Sequence, residues 1–494
     1  MKTISLTQSI GSRLRRRLII EKLNNPIGYL AGTVLAGVVA LMFYVLGVEI
    51  SALLVGALIA VPVVVACIFQ LEFGLIVMIS AGFMIGLVSK YTGAPIGTAL
   101  DGLLYAMSFG VIVKLGRERD FSAFKNPIGF FILLWIWYNI LQVLNPGAGS
   151  RMAWVYTVRS MALMLVLFYV ASYGLNSLAK VKLVIKVIVG WAFVSALYSL
   201  KQEWIGFSNA ELAWLYADEK RFQLIFQWNR LRVFSLFSDP TTFGILMGYM
   251  GVFCGILATG PFKLSKRIWL GIAAGSMILG MAYAGSRTPF VMVPIGIVFY
   301  TIMTFKRQTL IALGIFAVLG TGMVLKSTSN AVIWRIQSAF KPSTDASVQV
   351  RLDNQALIQP YIQQHPLGAG LGSTGMWGER FPPNSWLAGF AHDSLYVRIG
   401  VETGYIGLLI YMAMLFVAMR TGFYYYFRCK DPTIKILYCA ITTAVILLAL
   451  ASYPQEAITL LPTSIVFYIF LAMLVRLKDF DPAFQREVAP TKVN

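Results

Sequence analysis

Apolar residues fall in long blocks along almost the whole chain, near 27–47, 51–69, 73–89, 96–115, 127–144, 153–174, 183–204, 240–259, 268–285, 289–305, 309–325, 396–419, 434–451 and 458–475. The blocks lack the alternation of apolar and polar positions that a membrane β-strand requires. A helix needs about 20 apolar residues to cross the hydrocarbon core of a bilayer. Lipid offers the backbone no hydrogen-bond partners, so segments of this kind cross it as helices. The pattern predicts an all-α fold: a polytopic transmembrane helix bundle of about fourteen spans. The second and third spans are separated by little more than Gln70–Glu72.

Two connections are long, 206–238 and 326–394, and the second is expected to be partly helical, between spans 11 and 12. Loops longer than about 15 residues usually carry function or are disordered. These contain Trp214, Trp228, Trp334, Trp377 and Trp386, which is not a disordered composition. The tryptophans can stack on sugar rings, although an interfacial belt is the simpler reading for any one of them. The resulting division is a basic segment 1–26, a membrane domain 27–475 and a tail 476–494.

Composition agrees with this reading. Of 494 residues, 58% are hydrophobic and 13% charged, whereas soluble domains carry about a quarter charged residues. A net charge of +20 in a soluble protein would suggest nucleic acid. Here the cations cluster in short connections: Arg117, Arg119 and Lys125; Lys180 and Lys182; Lys263, Lys266 and Arg267; Lys306 and Arg307; Arg420, Arg428 and Lys430. With the N-terminus inside, all fall on one side, as cytoplasmic loops should. The partner is the lipid bilayer and not nucleic acid, and both termini are expected in the cytoplasm. No small-residue cleavage site follows a short apolar run near the start, so no signal peptide is read. Cys67, Cys254, Cys429 and Cys439 have no metal-ligand or disulfide spacing.

The two long loops lie on the opposite face and carry Arg221, Arg230, Arg232, Arg335 and Arg351. Long loops escape the charge bias, so these cations need no explanation, but they also suit an anionic ligand. Three segments on that face place a cation, a helix-starting signal and then an apolar span. They are Arg232 to Asp239-Pro240, Ser286-Arg287-Thr288-Pro289, and His392-Asp393-Ser394. A helix N-terminus presents free N–H groups and partial positive charge, which attract phosphate. Arg232 and Arg287 can instead snorkel to head groups or pair with Asp239, but three similar arrangements favour an anion site.

Only two histidines occur. His365 starts the turn Pro366–Gly372 and reads as structural. His392 opens a span beside a carboxylate, where a neutral imidazole can accept a proton from a sugar hydroxyl. Glu402 lies about two turns into that span, and intramembrane acids are functional suspects. Arg398, four residues earlier on the same helix face, can equally neutralise it. The candidates for substrate contact are Arg351, Arg230, Asp239, Asp393 and Glu402.

The stretch from Arg351 through Pro366–Gly372 to His392-Asp393-Ser394-Leu395-Tyr396, followed by Glu402-Thr403-Gly404-Tyr405-Ile406-Gly407, resembles the O-antigen ligase and O-antigen polymerase superfamily. Arg232 before Phe-Ser-Asp-Pro and the Ser286-Arg287 pair match in the same order, so the resemblance covers about residues 225–415. It implies a GT-C-like membrane glycosyltransferase acting at the periplasmic face. The donor would be a glycan on undecaprenyl diphosphate, and the acceptor a glycan or a lipid A core sugar. By the same resemblance, Arg232 and Arg287 match the residues that bind diphosphate and His392 the one near the acceptor. Two arginines and helix N-termini can stabilise the leaving charge, and no Asp-x-Asp motif in the outer loops suggests a metal. No cofactor is implied. Fourteen spans exceed the twelve expected of a ligase, which favours a polymerase of O-antigen, capsule or exopolysaccharide repeat units. A transporter or flippase is the alternative of another class, although no inverted repeat is visible.

Overall fold

The computed structural model describes residues 26–92, 96–119, 121–227, 229–325, 337, 340 and 346–488. The chain divides into two units, 1–66 and 67–494. The first unit holds most of helix α1, Pro26–Phe69, which is interrupted at Gly47, where φ is 78°. The first two predicted spans are thus one helix with a glycine break.

The second unit continues with α2 Leu71–Thr92, α3 Ile96–Glu118, α4 Pro127–Leu141, α5 Arg151–Met161, α6 Val166–Gly174 and α7 Leu178–Trp204. Two short helices, α8 Asn209–Tyr216 and α9 Glu219–Ile225, lead to a two-stranded ribbon, β1 Phe226–Gln227 and β2 Arg230–Leu231, paired antiparallel. Next come α10 Pro240–Ala258, α11 Leu264–Ala284, α12 Arg287–Thr304 and α13 Arg307–Leu325. The last group is α14 Ala346–Gln364, α15 Gly375–Arg380, α16 Leu395–Arg428, α17 Pro432–Ala451, α18 Thr463–Arg476 and α19 Pro482–Val488.

Among the described residues, ten helices are long and apolar enough to cross a bilayer. They correspond to the third to tenth, twelfth and thirteenth predicted blocks. The sixth is interrupted between α5 and α6 by a 3₁₀ turn at Leu163–Leu165. The eleventh is apolar only over Thr309–Gly322. The fourteenth departs most. Residues 452–462 form turns, and the helix begins at Thr463, leaving α18 with 14 residues.

Three helices start on the same device. Asn126-Pro127, Asp239-Pro240 and Asp431-Pro432 each place a side-chain acceptor at the N-cap, followed by a proline that has no N–H to satisfy. The core lies around α10, α17 and α18; α18 is buried at every position from Thr463 to Val475. α10 packs against α11, α12 and α17, α18 against α6, and α16 against α4 and α17. A helix apolar on all sides is stable only when surrounded, and these central helices are. The loops of 206–238 and 346–394 gather at the ends of α7, α10, α12 and α16.

Candidate active site

The site is built where α16 breaks. Gly404 has φ 71° inside an otherwise continuous helix. The break leaves carbonyls without their helical donors. The Val401 carbonyl accepts from the Ala369 N–H at 2.8 Å, and the Thr403 carbonyl from the Tyr138 hydroxyl at 2.7 Å. The turn that includes Ala369 approaches so closely that a Cβ on Gly404 would overlap the Pro366 carbonyl. One on Gly368 would reach within 2.6 Å of the Val401 carbonyl oxygen. Gly368 also has positive φ, 70°. Both glycines are therefore fixed by contact and by conformation. From α4 and the turn after it, Gln142 and Asn145 donate to the Leu367 and Gly368 carbonyls, holding the turn from the other side.

This docking presents four polar side chains to one another. His392 Nδ1 lies 3.0 Å from Glu456 Oε1. Arg398 bridges two acids, with Nη1 2.7 Å from Glu456 Oε2 and Nε 3.3 Å from Glu402 Oε1. Glu402 is wholly buried and also accepts from the Thr374 hydroxyl at 2.9 Å. The spacing of Arg398 and Glu402 forecast their pair. Burial would raise the Glu456 carboxyl, but the hydrogen bond from His392 and the charge of Arg398 outweigh it and hold the group at about 2. On the other edge of the imidazole Nε2 faces Gly375, where an added Cβ would stand 3.2 Å away, a tight contact.

The carboxylate beside His392 in sequence is not its partner. Asp393, with φ 33°, turns to Arg351, whose Nε is 3.5 Å from Asp393 Oδ2. Arg287, at the start of α12, lies close enough to Arg351 to feel its charge. Arg351, Asn354, Gln355, His392, Asp393 and Ser394 line one narrow cleft. The cleft thus holds His392, Asp393 and Arg351, while Glu402 is linked to His392 through Arg398 and Glu456 and Arg287 lies within electrostatic range of Arg351.

The structure does not bring the other candidates into that cleft. Arg230 pairs with Glu203, with Nη2 at 2.5 and 2.6 Å from its two oxygens. Asp239 caps α10, accepting from the Thr242 N–H and hydroxyl at 2.7 and 2.9 Å. Arg232 is buried, with Nε donating to the Ala284 carbonyl at 2.9 Å and Nη1 to that of Leu224 at 3.4 Å. Burial lowers its pKa, which the charge of Asp239 opposes. Arg232 is a brace on the turn Ala284-Gly285-Ser286 that presents Arg287. Neither Ser286 nor Ser394 makes the side-chain cap expected of it, although each precedes a helix as predicted.

The segment bearing Arg232 is itself anchored. Gln202 accepts from the Phe234 and Ser235 N–H groups, and Glu211 caps α8 with Ser208. His365 stacks on Tyr361, with ring centroids 4.0 Å apart, and serves the turn as expected. Trp377, Tyr156 and Phe381 form one stacked cluster, and Trp214 packs on Phe234 beneath the Arg221 guanidinium. Trp228, Trp334 and Arg335 lie outside the described residues.

Glu456 has no counterpart in the sequence reading. Its signal was one acid, after Pro454-Gln455, in the connection between the last two apolar blocks. The predicted span 458–475 leaves only residues 452–457 for that connection, whereas the helix begins at Thr463.

A family model described as Wzy_C, O-antigen ligase, matches residues 246–412. The match includes Arg287, Arg351, His392, Arg398 and Glu402, and excludes Arg232 and Glu456. Among curated proteins none matches the chain. Over residues 246–412 the chain is thus similar to the O-antigen ligase family, within a polypeptide whose described residues include ten helices long and apolar enough to cross a membrane.

Proposed function

We propose that the protein is a membrane glycosyltransferase that moves a glycan from undecaprenyl diphosphate to a sugar hydroxyl at the periplasmic face of the inner membrane. The observation that carries this reading is the 3.0 Å contact of His392 Nδ1 with Glu456, which turns Nε2 away from the carboxylate. A carboxylate at Nδ1 favours the tautomer whose proton sits there, so that Nε2 keeps its lone pair. Nε2 takes the proton of the acceptor hydroxyl as the oxygen attacks the anomeric carbon. The bond from that carbon to the diphosphate oxygen breaks with inversion, and the leaving group departs with the electron pair. Its negative charge meets Arg287 and Arg351, which lie within electrostatic range of each other.

The acceptor is a second carrier-linked glycan in a polymerase and a lipid A core sugar in a ligase. Purified protein given a radiolabelled undecaprenyl-diphosphate glycan and each acceptor in turn tests both readings. Growth of the carrier-linked chain marks the polymerase, and label on the core marks the ligase. Movement of the donor across a proteoliposome membrane, with no new glycosidic bond, would replace both with a transporter.

A further inference from the structure

We infer a second ligand site, for an anionic phospholipid of the bilayer, at the end of the bundle away from the candidate active site. It rests on the chain crossing a membrane and not on the transferase reading. Along α16, the step from Arg398 to Arg420 is about 33 Å at the usual helical rise, roughly the thickness of the hydrocarbon core. There a cavity of about 210 Å³ is lined by Lys125, Arg420 and Lys478 together with Tyr424 and Tyr425. Its three cations come from the segment before α4, the far end of α16 and the turn after α18. Among the described residues, no carboxylate lines it. The nearby acids are engaged elsewhere: Asp479 pairs with Arg476, and Asp481 accepts from the Lys430, Asp431 and Ala483 N–H groups. Lys478 is held in place by a 3.2 Å hydrogen bond to the Tyr425 hydroxyl.

A cluster of loop cations alone would be ordinary positive-inside charge. The second observation is an apolar groove of about 540 Å³ that shares Lys125 and Asn126 with the cavity and runs past Phe124, Phe130 and Leu133. Phe130 is 62% exposed along it. A basic cavity opening into an apolar groove along a membrane helix complements a phosphate head group joined to acyl chains. A soluble anion would use only the first part, and a neutral lipid only the second.

Native mass spectrometry of the full-length protein, titrated with phosphatidylglycerol and phosphatidylcholine, tests this. The wild type should hold phosphatidylglycerol at least tenfold more tightly. The variant K125Q/R420Q/K478Q should lose that preference. A control losing equal charge on the same face, K182Q/K186Q/K263Q, should keep it. Should the triple variant not fold, K125Q alone should weaken binding roughly fivefold, the effect of one cation near a lipid surface. Equal losses in the variant and the control would reduce the effect to diffuse charge and overturn the site. So would displacement of the lipid by glycerophosphate or inorganic phosphate at matched concentration, since either would mark a plain anion site.

Discussion

His392 and Glu456 stand 64 residues apart in the chain, and their side chains meet at 3.0 Å, Nδ1 to Oε1. The contact crosses from the start of α16 to the turns before α18. Arg398 closes it by holding the second Glu456 oxygen at 2.7 Å. Such an arrangement fixes the ring plane of the imidazole as well as its tautomer.

Replacing His392 with alanine should lower glycan transfer by about 10²–10⁴-fold, the usual contribution of a general base, while donor binding stays near wild type. Glu456→Gln keeps a hydrogen-bonding oxygen but removes the charge. It should lower kcat at least tenfold with little change in KM for the acceptor. A Glu456→Gln enzyme of full activity would show that the dyad positions nothing that the reaction needs.

The two arginines should separate. Arg287→Ala should cost transfer about ten- to a hundredfold, one charge-assisted contact to phosphate. Lysine should rescue it only in part, because it lacks the bidentate fork. Arg232→Ala removes a buried brace on the Ala284 carbonyl and should lower both activity and melting temperature. A stable Arg232→Ala protein that had lost only donor affinity would move Arg232 into the diphosphate site.

Acid stability gives an independent reading of Glu456. Its folded pKa, about 2, lies below the unfolded value of about 4.3. A depressed carboxylate adds stability that is complete above the unfolded value and is lost as pH falls through the folded one. Wild-type protein should therefore lose more melting temperature than Glu456→Gln between pH 6 and pH 3. Parallel curves would mean that Glu456 is not held ionised. Any acid limb of the rate between pH 5 and 8 belongs to another group, since Glu456 stays charged throughout that range.

The glycine contact should be sensitive to a single methyl. Gly404→Ala and Gly368→Ala each force a side chain into positive φ and onto a facing carbonyl. Each should destabilise the protein by about 1–3 kcal/mol, visible as a lower melting temperature, whereas Gly190→Ala, in open space, should not.

Orientation can be read by thiol labelling, because the four native cysteines are buried. Asn209→Cys and Gln364→Cys, exposed near the candidate site, should react with an impermeant reagent in cells with a permeabilised outer envelope. Ser265→Cys and Lys430→Cys, exposed at the other ends of the helices, should not. The reverse pattern would put the site in the cytoplasm.

The sequence by itself determined the membrane class, because apolar blocks of bilayer length have one stable conformation in lipid. It also marked the helix start at Asp239-Pro240, since capping is local chemistry, and the Arg398–Glu402 pair, since four residues is about one helical turn. His392 stood out by rarity and by its place at a helix start. What only the tertiary structure decided was partnership. Periodicity says nothing about which distant carboxylate meets an imidazole, so Asp393 looked like its partner and Glu456 did not. The same limit hid the brace made by Arg232 and the docking of Gly368 against Gly404. Those contacts join segments dozens of residues apart, and the docking of Gly368 against Gly404 follows from the break in α16, which frees carbonyls that other parts of the chain satisfy.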